Sequence, residues 1–535
     1  MSDKHPLPPW FTALRASQEV AIDEIIDAFN RVDVVFLNGP TGTGKTLIAQ
    51  RVAARMDVAA TYVCSDKGLQ DQFLRDFPYS RVLKGRANYP TELGTKDKTA
   101  EDCTSTGNGP CWFCSSKARC PYQIAKRQAI GSHMAVLNTA YFLTEANFVG
   151  NFGGKNRRAL VIADEADELE SSLTNFIEFR VPSYIFKQGL LKMPIKSARK
   201  TTLVKWLDEV IVVAGDLKHQ AERDENPKRA NAMGQLAADC RFVQTELRRE
   251  IEAGRDDTDD EQQMGMWLRD YDVQEKSGAF CLKPVMVAGY GNRYLWRHGG
   301  KWLVMSASII SAEEMAQSLG LTMEYEVIDV PMSFPVENRP IVLAPIANVV
   351  YKEMDRARPA LVTAIERIIE RHPDERVLVH CVSFHLAKHL CYNVSAPGRK
   401  KVIYQDGKDK KRALQEFLDT RGAVIYAASM ERGVDLADDA CRVQVIAKVP
   451  FPALGDRQVS ARTRAEGGQL WYVVQAIRAM VQMTGRAVRS DEDWAMTYVL
   501  DAQFTKNLWA KWRELFPGWW KEAVDKGQDI RWMMK

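Results

Sequence analysis

Apolar segments in the first third of the chain predict strands that alternate with helices. Residues 16–30 have the apolar spacing of an amphipathic helix, and the apolar run 32–40 enters a glycine-rich turn. Helical spacing returns at 46–56, and apolar runs at 60–65 and 159–167 predict two more buried strands. This order of strand, loop and helix indicates a doubly wound α/β domain with a mostly parallel sheet.

The pattern changes between about residues 170 and 280. Two long amphipathic patterns at 203–217 and 233–253 predict helices, and an acidic run at 256–261 follows them. We therefore predict a helical insertion that contains a solvated acidic loop. Strand character returns at 301–309.

A second α/β pattern begins near residue 335. The apolar runs that predict its strands are 376–384, 401–405, 422–429, 442–451 and 496–501. The chain is thus predicted to contain two doubly wound parallel-sheet domains.

Composition is typical of a soluble globular protein. The chain has 535 residues, with 46% hydrophobic and 27% charged. The formal net charge is +4, so a nucleic-acid binder would have to concentrate its basic residues in a groove. No apolar stretch is long enough to span a membrane, and the start MSDKHPLPPW lacks a signal-peptide pattern. A cytoplasmic location is expected.

A glycine-rich segment follows the first predicted strand. Residues 39–46, Gly-Pro-Thr-Gly-Thr-Gly-Lys-Thr, fit the P-loop pattern, in which the backbone curls around phosphate oxygens. Lys45 can reach the β- and γ-phosphates, and the Thr46 hydroxyl can ligate Mg²⁺. The nucleotide-binding residues predicted in this loop are Gly39, Thr41, Gly42, Thr43, Gly44, Lys45 and Thr46.

A cluster of acidic residues, Asp-Glu-Ala-Asp at 164–167, ends another predicted strand. Mg²⁺ at nucleotide sites is held by one or two carboxylates and by substrate phosphates, which predicts Asp164 as a magnesium ligand. Glu165 is predicted to orient and polarise the attacking water, because hydrolysis depends on positioning and charge neutralisation. A surface acidic turn is the alternative for this string alone, and the P-loop favours an ATPase site.

Residues 482–489, Gln-Met-Thr-Gly-Arg-Ala-Val-Arg, lie in the second α/β pattern. Arg486 and Arg489 are three residues apart, so on a helix they would share a face. Two guanidiniums there can meet a γ-phosphate across a cleft, as an arginine finger does. We predict Gln482, Arg486 and Arg489 as catalytic residues, although such a string alone would be typical of a solvated helix face.

Four of the ten cysteines lie in one short segment. Cys103, Cys111, Cys114 and Cys120 follow the pattern C-x7-C-x2-C-x5-C. Four thiolates in a reduced protein bind either an iron–sulfur cluster or a structural zinc ion, and the spacing leaves both open.

These motifs, in this order, make the sequence resemble superfamily-two helicases, specifically the XPD/DinG group. Arg15 and Gln18 resemble the motif that contacts the nucleotide base, and residues 65–72 lie where a strand-contacting motif belongs. Residues 306–308, Ser-Ala-Ser, resemble the motif that links hydrolysis to strand movement. The resemblance covers nearly the whole chain and implies ATP and Mg²⁺ as cofactors.

Two further segments belong to the resemblance. Residues 482–489 match the group pattern Q-x-x-G-R-x-x-R. Residues 431–436 resemble its E-G-V-D motif, with Asp435 at the nucleotide site and Arg432 where a glutamate usually falls.

The acidic motif departs from the group, which usually has D-E-A-H. D-E-A-D is the signature of a large RNA-helicase group, but those enzymes usually have His-Arg where this chain has Gln482-Met483. They also lack the long insertion, which matches the position of the XPD/DinG arch. DNA is therefore the expected substrate, with RNA kept as an alternative.

The cysteine segment lies where XPD and DinG carry their Fe–S domain. Residues 84–89 resemble the stretch that leads into it, but Pro90 and Thr91 occupy places where a cysteine often follows. The first cysteine after them is Cys103. The resemblance implies a [4Fe–4S] cluster on the four cysteines, with zinc as the alternative.

Basic and aromatic residues surround this segment. They are the combination expected of a path for a single strand, while packing around the cluster is the alternative. The residues are Lys84, Arg86, Tyr89, Trp112, Phe113, Lys117, Arg119, Tyr122, Lys126 and Arg127. The aromatic residues near the C-terminus, by contrast, are predicted to pack in a core.

The resemblance implies two RecA-like motor domains with two insertions in the first. The predicted boundaries are 1–84 with 128–169 and 283–332 for the first motor domain, 85–127 for the cysteine domain, 170–282 for the arch-like insertion, and 333–535 for the second motor domain.

The expected function is an ATP-dependent helicase that moves 5′ to 3′ on single-stranded DNA and unwinds duplexes. The alternatives are an RNA or RNA–DNA hybrid helicase and a regulatory ATPase gated by nucleic acid. Single-stranded DNA and duplex junctions are the expected partners, the chain is expected to be a monomer, and no membrane association is expected.

Overall fold

The computed structural model describes most of the chain. The described residues are 5–8, 11–92, 98–103, 118–188, 190–192, 194, 199–224, 226–254, 267–272, 279–404, 410–430, 436, 438–485, 488, 490 and 492–529. The predicted features outside these residues are the acidic run 256–261, Cys111, Trp112, Phe113, Cys114, Lys117, Arg432, Asp435, Arg486 and Arg489.

The strands of the described residues form three sheets. In chain order they are β1 Val34–Asn38, β2 Ala60–Cys64, β3 Arg81–Leu83, β4 Met134–Asn138, β5 Arg158–Ala163, β6 Phe179–Val181, β7 Trp267–Asp272, β8 Ala279–Pro284, β9 Gly299–Ser306, β10 Tyr325–Asp329, β11 Ile341–Ala347, β12 Val377–His380, β13 Lys401–Tyr404, β14 Val424–Ala427, β15 Val443–Ile446 and β16 Met496–Asp501.

The α-helices of the described residues connect these strands. In chain order they are α1 Ala16–Ala28, α2 Lys45–Arg55, α3 Lys67–Asp76, α4 Pro121–Gly131, α5 Thr139–Thr144, α6 Leu169–Ile177, α7 Ser183–Lys187, α8 Lys200–Arg223, α9 Pro227–Glu252, α10 Ala288–Tyr294, α11 Ala312–Ser318, α12 Met354–Arg371, α13 Phe384–Asn393, α14 Lys410–Leu418, α15 Arg457–Arg464, α16 Gly468–Thr484, α17 Ala510–Trp512 and α18 Gly518–Asp529. None of them is long and apolar enough to cross a membrane.

The first sheet is parallel, with the strand order β10-β1-β9-β5-β2-β4-β3. The first four residues of β1 are fully buried, which explains their continuous apolar run. Val34 and Phe36 enter one core, while Val35 and Leu37 enter another. The sheet is therefore covered on both faces, as a doubly wound domain requires.

The second sheet is also parallel, with the strand order β11-β16-β15-β12-β14-β13. Val377 and Val379 of β12 contribute to one core, and Leu378 contributes to another. Two parallel α/β sheets, both covered on two faces, confirm the predicted fold class.

The insertion after α6 contains more than the predicted helices. Helices α8 and α9 pack against each other, and Gln244 donates to the backbone oxygen of Val204 (2.9 Å) and to Asp208 (2.7 Å). Strands β6, β8 and β7 form a small antiparallel sheet beside them. The purely helical prediction missed this sheet, because β6 has only three residues and β7, Trp-Leu-Arg-Asp-Tyr-Asp, has no continuous apolar run.

The described parts of the cysteine segment join the first sheet directly. Pro90 and Thr99 form an isolated antiparallel bridge, and α4 packs against β3. The predicted domain boundaries in this region and elsewhere remain predictions.

Candidate active site

The phosphate loop lies at the carboxyl end of β1 and opens into α2. Gly42 and Gly44 have φ angles of 86° and 79°, which residues with a side chain rarely adopt. The loop is fixed to the next strand by Gly39, whose backbone N–H donates to the oxygen of Ser306 (3.2 Å). Lys45 folds over the loop, and its Nζ donates to the oxygens of Gly39 (2.7 Å) and Pro40 (3.3 Å). The lysine therefore lies where bound phosphates would be expected.

Gln18 and Arg15 hold the loop from the side of α1. The buried Gln18 amide donates to the Thr43 oxygen (2.9 Å) and accepts from the Arg15 backbone N–H (2.9 Å). The Arg15 guanidinium donates to the Gly42 oxygen (3.0 Å). A Cβ atom on Gly44 would lie 2.4 Å from Gln18 Nε2. Both residues predicted to contact the base thus also support the phosphate loop.

The acidic motif ends β5 beside this loop. Tyr62 donates from its hydroxyl to Asp164 Oδ2, and the Glu165 backbone N–H donates to Asp164 Oδ1 (2.9 Å). Burial raises the pKa of Asp164, and the Tyr62 hydrogen bond and the charge of Lys45 oppose that rise. Glu165 has a φ of 50°, a left-handed conformation that a residue with a side chain holds only when its surroundings impose it.

A buried polar network continues from the acidic motif into the second motor domain. Asp167 accepts from Ser306 Oγ (2.6 Å) and from Gln482 Nε2 (2.5 Å). Gln482 also donates to Ser308 Oγ (3.0 Å). All four side chains are at most 9% exposed, so these hydrogen bonds are shielded from water. We refer to Asp167, Ser306, Ser308 and Gln482 as the interdomain network.

A second set of buried contacts joins the same two domains farther from the phosphate loop. Arg462 of α15 pairs with Glu170 of α6 (2.7 Å) and donates to Ser318 (2.7 Å). Trp471 Nε1 donates to Glu170 (3.1 Å) and its ring lies under the Arg462 guanidinium, 4.7 Å from it. Arg478 pairs with Glu314 (3.8 Å). No motif in the sequence predicted the ion pairs Arg462–Glu170 and Arg478–Glu314.

An interdomain cleft opens next to the phosphate loop. Its lining residues are Thr41, Met332, Arg339, Ile341, Thr484, Gly485, Val488, Ala495, Thr497, Trp519 and Ala523. Helix α16 ends at Thr484, and Gly485 and Val488, which follow it, line the cleft. The predicted helical placement of Arg486 and Arg489 falls outside the described residues, as does Asp435.

Two of the four predicted cluster ligands are described. Cys103 is 8% exposed and Cys120, which immediately precedes α4, is 5% exposed. Among the described residues, no three His, Cys, Asp or Glu side chains group as a metal site. Cys111 and Cys114 lie outside that part of the chain.

Two residues predicted as part of a strand path, Tyr122 and Lys126, make contacts inside the protein instead. Tyr122 is 3% exposed, and its hydroxyl lies 2.6 Å from that of Tyr141. Glu145 accepts from Tyr141 (2.9 Å) and from Lys126 (2.8 Å). At Tyr122 and Lys126 the structure therefore favours the packing alternative. Trp520 is also buried, against Phe516 and Phe504, as predicted for the C-terminal aromatic residues.

Two family models match the two motor regions of the chain. The model described as "Type III restriction enzyme, res subunit" matches residues 11–193, and the model described as "Helicase C-terminal domain" matches residues 365–523. The two matches support an ATP-dependent helicase.

Solved structures of XPD proteins have the same fold. An XPD helicase is similar with a TM-score of 0.64 at 16% identity, over 94% of this chain and 98% of that one. The Xpd4 protein of S. tokodaii is similar with a TM-score of 0.56 at 14% identity, over 95% of this chain and 99% of that one.

The curated relatives match only part of this chain. "Regulator of telomere elongation helicase 1 homolog" proteins of Drosophila sechellia and Drosophila melanogaster are 31% identical over 153 residues. The match covers 25% of this chain and only 16% and 15% of those relatives.

Proposed function

We propose that the chain is an ATP-dependent DNA helicase that moves 5′ to 3′ along single-stranded DNA and unwinds duplexes. The observation that carries this proposal is the interdomain network. It links the acidic motif beside the phosphate loop to α16 of the second motor domain. A change in the bound nucleotide can therefore alter the contact between the domains, which is what a two-domain motor requires.

The first domain supplies the groups that would hold ATP and magnesium. The Thr46 hydroxyl and the Asp164 carboxylate are oxygen ligands of the kind Mg²⁺ prefers, and the Tyr62 hydroxyl donates to Asp164. A bound magnesium ion neutralises charge on the transferred phosphate. Lys45 meets phosphate oxygens, and Glu165 orients and polarises the attacking water.

The second domain supplies the groups that act on the γ-phosphate. Gln482 lies in the interdomain network, and α16 ends two residues before Arg486. We propose that Arg486 and Arg489 stabilise the transition-state charge, a contribution worth about 10³ to 10⁵ in rate for arginine fingers.

We propose that Cys103, Cys111, Cys114 and Cys120 hold a [4Fe–4S] cluster, with zinc as the alternative. The support is a donor set of four cysteines, of which Cys103 and Cys120 are almost completely buried. A cluster supplies cross-links to a segment of this size, which has too little apolar core to hold itself.

Strand displacement on matched substrates tests the proposal. Purified protein is given ATP and Mg²⁺ with DNA, RNA and RNA–DNA hybrid duplexes that carry a 5′ or a 3′ single-stranded tail. We expect unwinding of DNA with a 5′ tail, and none with the Lys45→Ala variant. Lys45 Nζ donates to backbone oxygens of its own loop and is not part of a hydrophobic core, so we expect this variant to fold.

Two other outcomes of this assay would support one of the alternative functions instead. Unwinding of RNA or hybrid duplexes in preference to DNA would make the chain an RNA or hybrid helicase, the class whose acidic motif also ends in aspartate at the position of Asp167. ATP hydrolysis stimulated by a single strand, with no displacement of any duplex, would make it a regulatory ATPase.

A further inference from the structure

Tyr62 occupies an unusual position beside the proposed magnesium ligands. It is the third residue of β2, which lies between β5 and β4 in the first sheet. Its side chain is 2% exposed, and its ring packs against Phe73 with 4.2 Å between the ring centres. The ring is therefore held by the core, while its hydroxyl points to the carboxyl end of the sheet.

The Tyr62 hydroxyl lies beside two side chains that belong to different motifs, Asp164 and Thr46. It donates to Asp164 Oδ2. The other carboxylate oxygen, Asp164 Oδ1, accepts from the Glu165 backbone N–H (2.9 Å). Both oxygens of Asp164 thus have fixed donors.

The two side chains beside the Tyr62 hydroxyl fit a hard cation. A threonine hydroxyl and an aspartate carboxylate both bind through oxygen, and Mg²⁺ is usually bound by one or two such groups together with substrate phosphates. Groups behind the ligands of a metal ion orient them, and losing such a group typically costs about 10- to 100-fold in metal affinity.

We infer that Tyr62 is a positioning residue for magnesium, which holds Asp164 beside Thr46 in the orientation that receives the ion. This inference rests on the proposed function of the phosphate loop and the acidic motif. It adds a residue from the neighbouring strand β2 to the two motifs. Tyr62 acts through Asp164, to which its hydroxyl donates.

The Tyr62→Phe variant removes one oxygen and keeps the packed ring. Tyr426→Phe is the matched control, because Tyr426 is fully buried in the second sheet and its hydroxyl makes no hydrogen bond to the residues described. Thermal unfolding of both variants reports whether either change disturbs the fold.

Metal binding is measured apart from turnover. Mn²⁺, a spin-active substitute for Mg²⁺, is titrated into protein with ADP, and bound ion is followed by electron paramagnetic resonance. In parallel, a fluorescent ATP analogue is bound in EDTA and at increasing Mg²⁺. In Tyr62→Phe we expect the half-saturating metal concentration to rise about tenfold or more. Analogue binding in EDTA should stay unchanged, and Tyr426→Phe should match the wild type.

Three results would overturn the inference. One is unchanged metal binding in Tyr62→Phe, another is tighter metal binding, and the third is a loss of analogue binding in EDTA equal to the loss at high Mg²⁺. Failure of the wild-type protein to bind the analogue under any condition would instead remove the proposed function itself.

Discussion

At the scale of single residues, Glu165 is held in an uncommon backbone conformation at the end of β5. Its φ of 50° lies in the left-handed region, and its backbone N–H donates to Asp164. Residues held in such sparsely populated conformations cluster at active sites, as expected for a group that must meet a water molecule.

Glu165→Gln should bind ATP normally and hydrolyse it far more slowly. Glutamine keeps the size of the side chain and loses the charge that polarises water, a loss on the order of 10²- to 10⁴-fold. Equilibrium binding of a fluorescent ATP analogue and steady-state phosphate release measure the two effects. Glu168→Gln, three residues along, is the control and should hydrolyse ATP at the wild-type rate. If Glu165→Gln and Glu168→Gln hydrolyse ATP at the same rate, Glu165 is not the residue that polarises the water.

The residues with chemical roles were largely predictable, and the residues that support them were not. Lys45, Thr46, Asp164 and Glu165 belong to short motifs whose spacing follows from phosphate and metal geometry. Tyr62 belongs to no such motif, because its role depends on strand order. It becomes adjacent to Asp164 only when β2 pairs with β5.

At the scale of elements, α15 and α16 are tied to the first motor domain by buried ion pairs. Arg462 forms one of these pairs with Glu170 and also donates a hydrogen bond to Ser318. Removing one partner of a buried pair leaves an uncompensated charge, which usually costs about 3–5 kcal/mol. Glu170 keeps 17% of its side chain exposed, so the lower part of this range applies.

Arg462→Met should lower the free energy of unfolding by about 3 kcal/mol at neutral pH. Burial raises the pKa of Glu170 above its ordinary value of 4.5, and Arg462 opposes that rise, so the variant should raise it further. The native state then keeps a proton that the unfolded chain releases, and stability is lost as pH rises above about 4.5. The defect should therefore shrink toward acidic pH.

Chemical denaturation of the variant at several pH values measures this effect. Arg464→Met is the control, because Arg464 is an exposed residue on the same helix. A defect that is the same at every pH would contradict the assignment of Glu170 as the group left unpaired.

The cysteine segment gives a second prediction at this scale. Protein purified without oxygen should be brown and carry about four irons per chain. Cys111→Ser, Cys114→Ser and Cys120→Ser should lose the colour and the unwinding, and largely keep ATP hydrolysis without nucleic acid, because the ATP site is built from other segments. Cys391→Ser, which changes a buried cysteine of α13, should stay brown.

The Cys103→Ser variant tests whether Cys103 is the fourth ligand of the cluster. Retained colour would mean that another group takes that place. A colourless wild-type protein with one zinc ion would overturn the iron–sulfur assignment and leave the helicase proposal standing.

Elements were predictable where both faces are buried. The strands β1, β5, β12 and β16 are continuous apolar runs and were expected close to their observed positions. The edge strand β10 was not expected, because its sequence Tyr-Glu-Val-Ile-Asp mixes polar and apolar residues and leaves Val327 45% exposed. A half-exposed edge strand cannot be distinguished from a loop by hydrophobicity alone.

At the scale of the whole molecule, charge is nearly balanced at +4. Attraction to a phosphate backbone must then come from local basic residues, which release counterions from the nucleic acid on binding. The logarithm of the association constant for single-stranded DNA should fall linearly with the logarithm of salt concentration, with a slope of about −0.7 per phosphate neutralised. Fluorescence anisotropy from 50 to 200 mM salt, roughly the usual working range, measures it. An affinity that does not change with salt concentration would argue against a groove that binds the phosphate backbone.

The overall architecture followed from the order of motifs, while the contacts between domains did not. Sequence spacing placed Gln482 in the second domain, but its partners Asp167 and Ser308 lie about 300 and 170 positions away. Such pairings depend on how the two domains pack against each other. The hydrophobic pattern of a short segment does not encode that packing.

The position of β1 has a consequence for how the protein is made. Both of its neighbours, β9 and β10, come from beyond residue 298, although the phosphate loop that follows β1 begins at Gly39. At a synthesis rate of roughly 5–20 residues per second, the loop must wait on the order of 15 to 50 seconds for the strands that flank it. During that time the apolar run of β1 has no native partner in the sheet. The nascent chain therefore depends on chaperones or on non-native contacts for longer than most small domains do.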